Sequence, residues 1–583
     1  MNRLKALSAA WLFSLCVVNA FVVNQDPSGN PRHWNITTPD PRLNTNVFNP
    51  KTKAIRYYLG LNASRANEQA ELNAIRAAFA QWQAIPGTTL KFEEGGLIGE
   101  VLDVNADDER NVIFWAKSTF VNGGKENISG NLAVTYTSAF TDDNTIADSD
   151  TVLNGVQFSW FTDFNTPKTA AFFVEATALH EIGHSIGLDH TPIGGATMFF
   201  RGRAGVNAQA GLSSDEIAAA RFLYSKPSTL ETLGALHGHV TMNGRGILGA
   251  VVTLENGAGE IIAGTVTRAN GNYELNAVPP DDYFVRASPL DPNAASSFLV
   301  RGRDIDPKEF SSSQTDFLPS DNLPVKLAAG SKAITEFQVI GGVPRFRITR
   351  IQPPSSDLRL PDPYDAPAII HPGESNLFVG VYSPDLPIRD ATLTITGDGL
   401  TLGATSFLPN AVQGLNLMAV SISVASNATP GFRNFIVQQG ENIAYANGFL
   451  EVLPLFPDYN FDGLDDTFQR RYFPSFTAPE AAPGADPDGD GFANRREHLA
   501  GSDPTDPLSL FFKIIGVKRL STGTTLTFQT GPGKRYQVYD SSHFERDPWQ
   551  PVGSPVTANA EIAEFFDASA ANTMRFYRVQ ALP

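Results

Sequence analysis

From Lys53 to Tyr224 the apolar positions switch between two periods. "AIRYYLGL" reads as a strand, and "SRANEQAELNAIRAAFAQW" as a helix whose apolar face is Leu72, Ile75, Phe79 and Trp82 at helical spacing. "TLKFEE", "NVIFWA", "NLAVTYT" and "DTVLNG" read as further short strands. A helix holding "ATALHEIGHSIGLDHTPIGGATMFF" follows, then "LSSDEIAAARFLY" with Ser213 or Ser214 as its N-cap. This order predicts one α/β or α+β domain over residues 50–228.

Past Pro227 the helical period nearly stops. "GHVTMNGRGILGAVVTLEN" and "ANGNYELNAVPPDDYFV" alternate short β-type runs with Asn-Gly and Gly-rich turns, which predicts an antiparallel sandwich at 235–343. "LTITGDGL" and "GFRNFIVQQGENIAYANGFLEV" predict a second β domain at 344–454, and 511–583 reads as β again. Between them, 455–510 is dense in Asp, Gly and Asn. Residues 21–49, polar and without periodicity, read as a linker or extended lead-in. With 583 residues the chain is too long for one core, so the reading is multidomain.

Composition changes this picture in three places. The 49 Gly and 40 Pro fit many turns and much β-structure. The net charge of −17 argues against a nucleic-acid partner, which would need Lys and Arg to neutralise phosphates. At the N-terminus, Arg3 and Lys5 precede an apolar run and a "VNA" site, the pattern of a secretory signal peptide at 1–20 cut after Ala20. The single cysteine, Cys16, lies inside it, and Leu15 before it does not suit lipidation. The expected product is secreted, or periplasmic in a Gram-negative source. It has no disulfides, and no later run is long enough for a membrane helix.

The candidate chemistry sits in "HEIGHSIGLDH". On a helix, His180 and His184 project from one face and can grip one metal ion. His190 would be the third ligand, brought round by Gly187, the residue type that tolerates positive φ. Three imidazoles with an open position make a catalytic zinc site. Glu181 stands where a general base would take a proton from water at such a metal. The predicted chemistry is hydrolysis of a peptide carbonyl.

His180, Glu181, His184, Gly187 and His190 together resemble the motif of the metzincin metalloproteases. Thr191 after the third histidine, and Met198 eight residues after it, are similar to the matrixin branch, where that methionine forms a turn beneath the zinc. The resemblance covers roughly residues 50–225. It implies a twisted five-stranded sheet, an active-site helix below the cleft, and endopeptidase activity. It also implies an edge strand at "GNLAVTYT" along which a protein or peptide substrate aligns, and a pocket shaped by Phe199 and Phe200, where the family usually has a Tyr-Pro-like sequence. The cysteine switch of vertebrate matrixins has no counterpart. Asp26 and Asp40 read as solvated linker carboxylates, the alternative being that one of them covers the zinc. Asp142, Asp143, Asp148 and Asp150 are calcium candidates in place of the family's structural-zinc histidines, with a polar loop as the alternative.

"DPDGDGFANRRE" fits a twelve-residue EF-hand-type loop: Asp486, Asp488 and Asp490 at positions 1, 3 and 5, Gly491 at the turn, the Phe492 carbonyl, Asn494, and a bidentate Glu497. The earlier "DYNFDGLDDTFQ" offers Asp458, Asn460, Asp462, the Leu464 carbonyl and Asp466, but ends in Gln469, so a weaker calcium site is expected. The pair is similar to dockerin and thrombospondin type 3 repeats, and 235–343 resembles a carboxypeptidase regulatory-like sandwich. Residues 344–454 look immunoglobulin-like. The expectation is a secreted zinc endopeptidase with calcium-stiffened β modules that hold a cell-surface or matrix ligand. The runner-up is an exported adhesion or matrix-binding protein whose metalloprotease-like domain is inactive. An intact Glu181 speaks against the latter.

Overall fold

The structure, a computed structural model, describes residues 22–582 apart from 27–28, 39, 62, 65–67, 100–102, 106–107, 294–298, 359–362, 413, 508, 510–513, 532, 544–547, 561 and 571–574. The signal peptide expected at 1–20, with Cys16 and the cut at Ala20, lies outside the described residues.

The short apolar runs become strands β1 (Phe48–Asn49), β2 (Ala54–Gly60), β3 (Phe92–Ile98), β4 (Val112–Trp115), β5 (Phe120–Val121), β6 (Glu126–Asn127), β7 (Ala133–Ala139) and β8 (Ile146–Leu153). The sheet has six strands where five were expected, in the order β1-β2-β4-β8-β7 with β3 also on β2. The sixth is the two-residue β1, paired antiparallel through Phe48 with Ile55 and Asn49 with Ala54. β3, β2, β4 and β8 run parallel. β7 runs antiparallel to β8 and forms the sheet edge. β5 and β6 form a separate hairpin.

Helix α1 (Glu68–Ala84) buries Leu72, Ile75, Phe79 and Trp82. Phe79 stacks on Tyr57 of β2 with ring centroids 3.7 Å apart. Each such aromatic stabilises the fold by about 1.5–3 kcal/mol through burial. Helix α2 (Val174–Ser185) packs on α1 through two buried polar links as well as apolar contact. Gln81 Nε2 donates to Glu175 Oε1 (2.7 Å), and Trp82 Nε1 donates to the Leu179 carbonyl (2.9 Å). Helix α3 (Ser214–Tyr224) is capped by Ser213, with Glu216 closing a capping box.

The described residues between Val22 and Ile36 pack on the first domain. Val23 bridges Leu188, and the His33 carbonyl accepts from Ile146 N–H (2.9 Å). Trp34 is buried and donates Nε1–H to the Ser185 carbonyl (2.9 Å). The apolar side chains Val22, Val23, Trp34 and Ile36, scattered among Asn and Pro, carry this packing without any period to reveal it.

The two following β modules share one sheet. An eight-stranded sheet runs from Leu323–Leu327 and Asp281–Pro289 through Ala250–Asn256 and Ile261–Val266. It crosses at the Ile261–Phe432 pairing to Gly431–Gln439, Asn442–Val452 and Ala368–Ile370, with Thr392–Ile395 also paired on Gly431–Gln439. A single apolar core holds Val251, Val266, Ile351, Val379 and Phe449, and also Val22 and Phe199 from the first domain. The expected boundary at 343/344 therefore separates sequence patterns, not cores.

Residues 456–583 form their own unit. Two three-stranded sheets enclose Leu526, Phe528, Tyr536, Val538 and Val579. The Asp-rich segment is continuous with them, because Tyr536 OH donates to the Ala500 carbonyl (3.0 Å) and accepts from Gly531 N–H (2.7 Å). Among the described residues no helix is long and apolar enough to cross a membrane.

Candidate metal centre

One turn of α2 separates His180 from His184, so both rings leave the same helix face. The helix ends at Ile186, and Gly187, with φ +100°, reverses the chain toward His190. A Cβ at Gly187 would lie 2.1 Å from the Arg32 carbonyl oxygen, so glycine is required by the lead-in segment as well as by the turn. Asn24 N–H donates to the Gly187 carbonyl (2.9 Å), and Asp189 N–H to the Val22 carbonyl (2.6 Å). The three ring centroids stand 4.8, 5.2 and 4.9 Å apart.

Each Nδ1 is engaged by a backbone carbonyl: His180 with Thr197 (2.8 Å), His184 with Leu188 (2.9 Å) and His190 with Asp304 (2.8 Å). A carbonyl only accepts, so each Nδ1 carries the proton and each neutral ring presents a bare Nε2. The Nε2 atoms of His180 and His184 are 3.1 Å apart, two lone pairs facing one another. That arrangement is repulsive by itself and fits a cation bound at about 2.0–2.1 Å from each nitrogen. Burial, and after it the neighbouring imidazoles, hold His180 well below the ordinary histidine range. The same causes, burial first and then His184, bring His190 down to about 3. For His180 and His190 desolvation dominates, which favours the neutral ring that can ligate.

Glu181 is 4% exposed. The Thr135 hydroxyl on β7 donates to its Oε2 (2.6 Å) and accepts from the Thr151 hydroxyl (2.8 Å). Burial raises the Glu181 pKa, opposed by His184 and by Thr135. Met198 lies directly beneath α2, where a Cβ on Gly183 would fall 2.2 Å from its sulfur. Its N–H donates to Glu216 Oε1 (2.8 Å), and its carbonyl accepts from Thr191 N–H (3.0 Å). Asp215 accepts from Gly264 N–H of the sandwich (2.8 Å). Thr135, Asp215, Glu216 and Asp304 were not singled out from the sequence. Only Glu216 left a local sign, the Ser213-x-x-Glu216 spacing of a capping box.

A cleft of about 1400 Å³ opens over the three histidines. Thr135, Glu181 and Phe200 line it from the first domain, and Arg268, Asp306 and Lys308 from the sandwich. Phe200 stands 6.2 Å from the His190 ring, whereas Phe199 is 1% exposed and packs edge-on against Phe449 in the shared core. Of the other carboxylates, Asp142 and Asp143 pair with Arg42, as does Asp40. Asp26 accepts from Asn144 Nδ2 (2.8 Å), and Asp150 from Asn105 and Val112 N–H (2.8 and 3.0 Å). Asp148 is buried. Among the described residues Asp142, Asp143, Asp148 and Asp150 are not gathered into a cation site: Arg42 pairs with the first two, and backbone donors bind Asp150.

Among the described residues the second group able to hold a metal is Asp486, Asp488 and Asp490. Gly491 turns the loop with φ +93°. Asp488 Oδ2, Asp490 Oδ2 and Glu497 Oε2 are shut from solvent with no hydrogen-bond partner. Burial first, then Asp488, Asp490 and Asp486, push Glu497 up to about 7. These are acceptors with no donor, which suits a hard cation. Phe492 N–H donates to Asp490 Oδ1 (2.8 Å), and Asn494 Nδ2 is committed to the carbonyls of Glu480 and Ala482 (2.8 Å each). The earlier loop differs in that several of its carboxylate oxygens accept from donors of the loop itself. Gln469 Nε2 and Asn460 Nδ2 both donate to Asp462 Oδ2 (2.8 and 2.9 Å), and Leu464 N–H to Asp462 Oδ1 (2.8 Å). Asp458 accepts from Asp462 and Gly463 N–H, and Asp466 from Tyr459 N–H.

The matrixin family model matches residues 48–225, and the carboxypeptidase regulatory-like domain model matches residues 235–303. The chain thus carries a matrixin domain, from a zinc-dependent family, which supports a metalloprotease-like function. No curated protein matches the chain. Among solved structures it is similar to the group B streptococcus pilus 2b backbone protein, at 12% identity over 19% of this chain and 41% of that one, TM-score 0.13. It is also similar to BcpA, the major pilin subunit of Bacillus cereus, at 11% identity over 38% and 69%, TM-score 0.13. For the Bacillus anthracis TIE protein the figures are 11% over 60% and 46%, TM-score 0.14. The chain spans 41% of the length of the pilus 2b protein, and at these TM-scores the likenesses carry no functional argument.

Proposed function

We propose that the chain is an exported zinc endopeptidase that hydrolyses peptide bonds in extracellular proteins. The observation that carries this is the convergence of three bare imidazole nitrogens beside the buried Glu181. His180, His184 and His190 would hold the zinc, which when bound supplies Lewis acidity to the scissile carbonyl and the attacking water. Glu181 accepts the proton of that water and returns it to the leaving amine. Thr135 holds the Glu181 carboxylate by one short hydrogen bond and leaves the other oxygen for this task. Edge strand β7 offers backbone groups to an extended peptide, the usual way a sheet edge takes up another strand. Phe200, Arg268 and Lys308 then meet its side chains.

The test is cleavage of casein or gelatin by the purified chain. Cleavage is expected to stop with a zinc chelator and return with added zinc. Cleavage that persists in a chain shown by metal analysis to hold no zinc would sink the reading.

The loop at 486–497 is the proposed calcium site, and its role is to stiffen the segment within residues 456–583. Because the Gln469 amide supplies donors where an ion would sit, calcium titration is expected to show one tight site per chain. Asp488→Ala should remove it, and Gln469→Glu should create a second. Two tight sites in the unaltered chain would contradict this reading.

A further inference from the structure

Of the three ligands, His180 and His184 are oriented from within the first domain, by carbonyls 17 and 4 residues away. His190 is not. Its Nδ1 donates to the carbonyl of Asp304, 114 residues on, in the short helix Gly302–Ile305 of the β-sandwich. We infer that this sandwich turn is a working part of the metal centre: residues 301–310 position the third ligand, and the module is not a detachable adhesion domain. The inference rests on the zinc reading of His180, His184 and His190.

The turn is built to hold still. Arg301 N–H and Nε donate to Asp304 Oδ2 (3.0 and 2.7 Å), and Arg301 Nη2 to Asp304 Oδ1 (2.7 Å). Asp306 N–H closes on the Gly302 carbonyl (3.2 Å), and Phe310 N–H on the Asp306 carbonyl (2.9 Å). Ile305 and Phe310 are rooted in the same apolar core as Phe199, the residue after the methionine of the turn beneath α2. Gly302 leaves no slack, since a Cβ there would lie 2.1 Å from the Phe310 carbonyl oxygen and 2.5 Å from Ser313 Oγ. The same loop brings Asp306, Lys308 and Glu309 to the cleft wall. A fixed acceptor on Nδ1 sets both the tautomer and the ring orientation, and losing such a partner typically lowers metal affinity by about 10–100-fold.

The experiment measures zinc affinity of the full chain by competition with a chromophoric chelator, and the visible spectrum of the cobalt-substituted chain as a report on ligand geometry. Gly302→Ala displaces the turn by steric contact. Arg301→Ala releases it without any added atom, which keeps the test open if the first variant fails to fold. Both should weaken zinc binding by about 10–100-fold and alter the cobalt bands while circular dichroism shows a folded chain. Lys326→Ala, an exposed position on the same sandwich, should change neither. Zinc affinity within twofold of the unaltered chain and an unchanged cobalt spectrum in a folded variant would overturn the role of the turn alone. An unaltered chain that holds no zinc would overturn the metal-centre reading beneath it.

Discussion

Glu181→Gln is expected to keep one zinc per chain and to lower peptide-bond cleavage by about 10²–10⁴-fold, the range a positioned general base contributes. The amide matches the carboxylate in size, so α2 should not move. The Thr135 hydroxyl can still donate to the side-chain oxygen, as it does to Glu181 Oε2 at 2.6 Å. The ligands are oriented by the carbonyls of Thr197, Leu188 and Asp304, none of which the substitution touches. What is lost is the capacity to accept a proton at this buried position. Metal analysis alongside kcat/KM on a quenched peptide checks it. Cleavage within tenfold of the unaltered chain, with zinc bound, would remove Glu181 from the proposed mechanism.

Glu216→Ala should cost about 2 kcal/mol of stability and weaken zinc binding at the same time. One carboxylate serves three donors: Met198 N–H (2.8 Å), Ser213 N–H (3.0 Å) and the Ser213 hydroxyl. Alanine leaves the buried Met198 N–H without a partner and opens the capping box of α3. Losses of this kind sum to about 2–4 kcal/mol. Against this, burial first and then Glu216 push the Asp215 pKa well up. Removing Glu216 relieves that repulsion, which holds the expected figure at the lower end. Zinc affinity falls because the Met198 carbonyl holds Thr191, the neighbour of His190. Glu216→Gln keeps one oxygen acceptor, enough for either Met198 N–H or the Ser213 donors but not both, and should fall between the alanine variant and the unaltered chain. Urea unfolding and chelator competition measure the two effects, and an alanine variant unchanged in both would show that the turn needs no such support.

Much of the site was legible because its parts are close in sequence. The i, i+4 spacing of His180 and His184, a glycine able to reverse the chain, and the 1-3-5-12 spacing of Asp486, Asp488, Asp490 and Glu497 are local regularities. A helix or a tight loop converts each directly into geometry. The helix faces of α1 and the strand runs were readable for the same reason. The burial of the lead-in was not legible, because Val22, Val23 and Trp34 pack singly, as irregular chain does, and leave no period to detect. The continuation of the sheet across the two β modules was not legible, because a turn-rich stretch looks the same whether or not a neighbouring strand, here Gly431–Gln439, continues the sheet.

The sequence by itself determined the candidate ligand set, the proposed base and the acidic loop proposed to bind calcium, since these follow from residue type and spacing over a dozen positions or fewer. Only the tertiary structure decided that Thr135 would brace Glu181 and that Glu216 would hold the Met198 turn beneath α2. The same is true of Gln469, whose amide closes the first acidic loop, and of Asp304, which reaches His190 across 114 residues. A hydrogen bond from a fixed helix is prepared by covalent geometry. One between distant segments exists only once apolar burial has brought them together, and in this chain the core that joins Val22, Phe199, Ile305 and Phe449 does so.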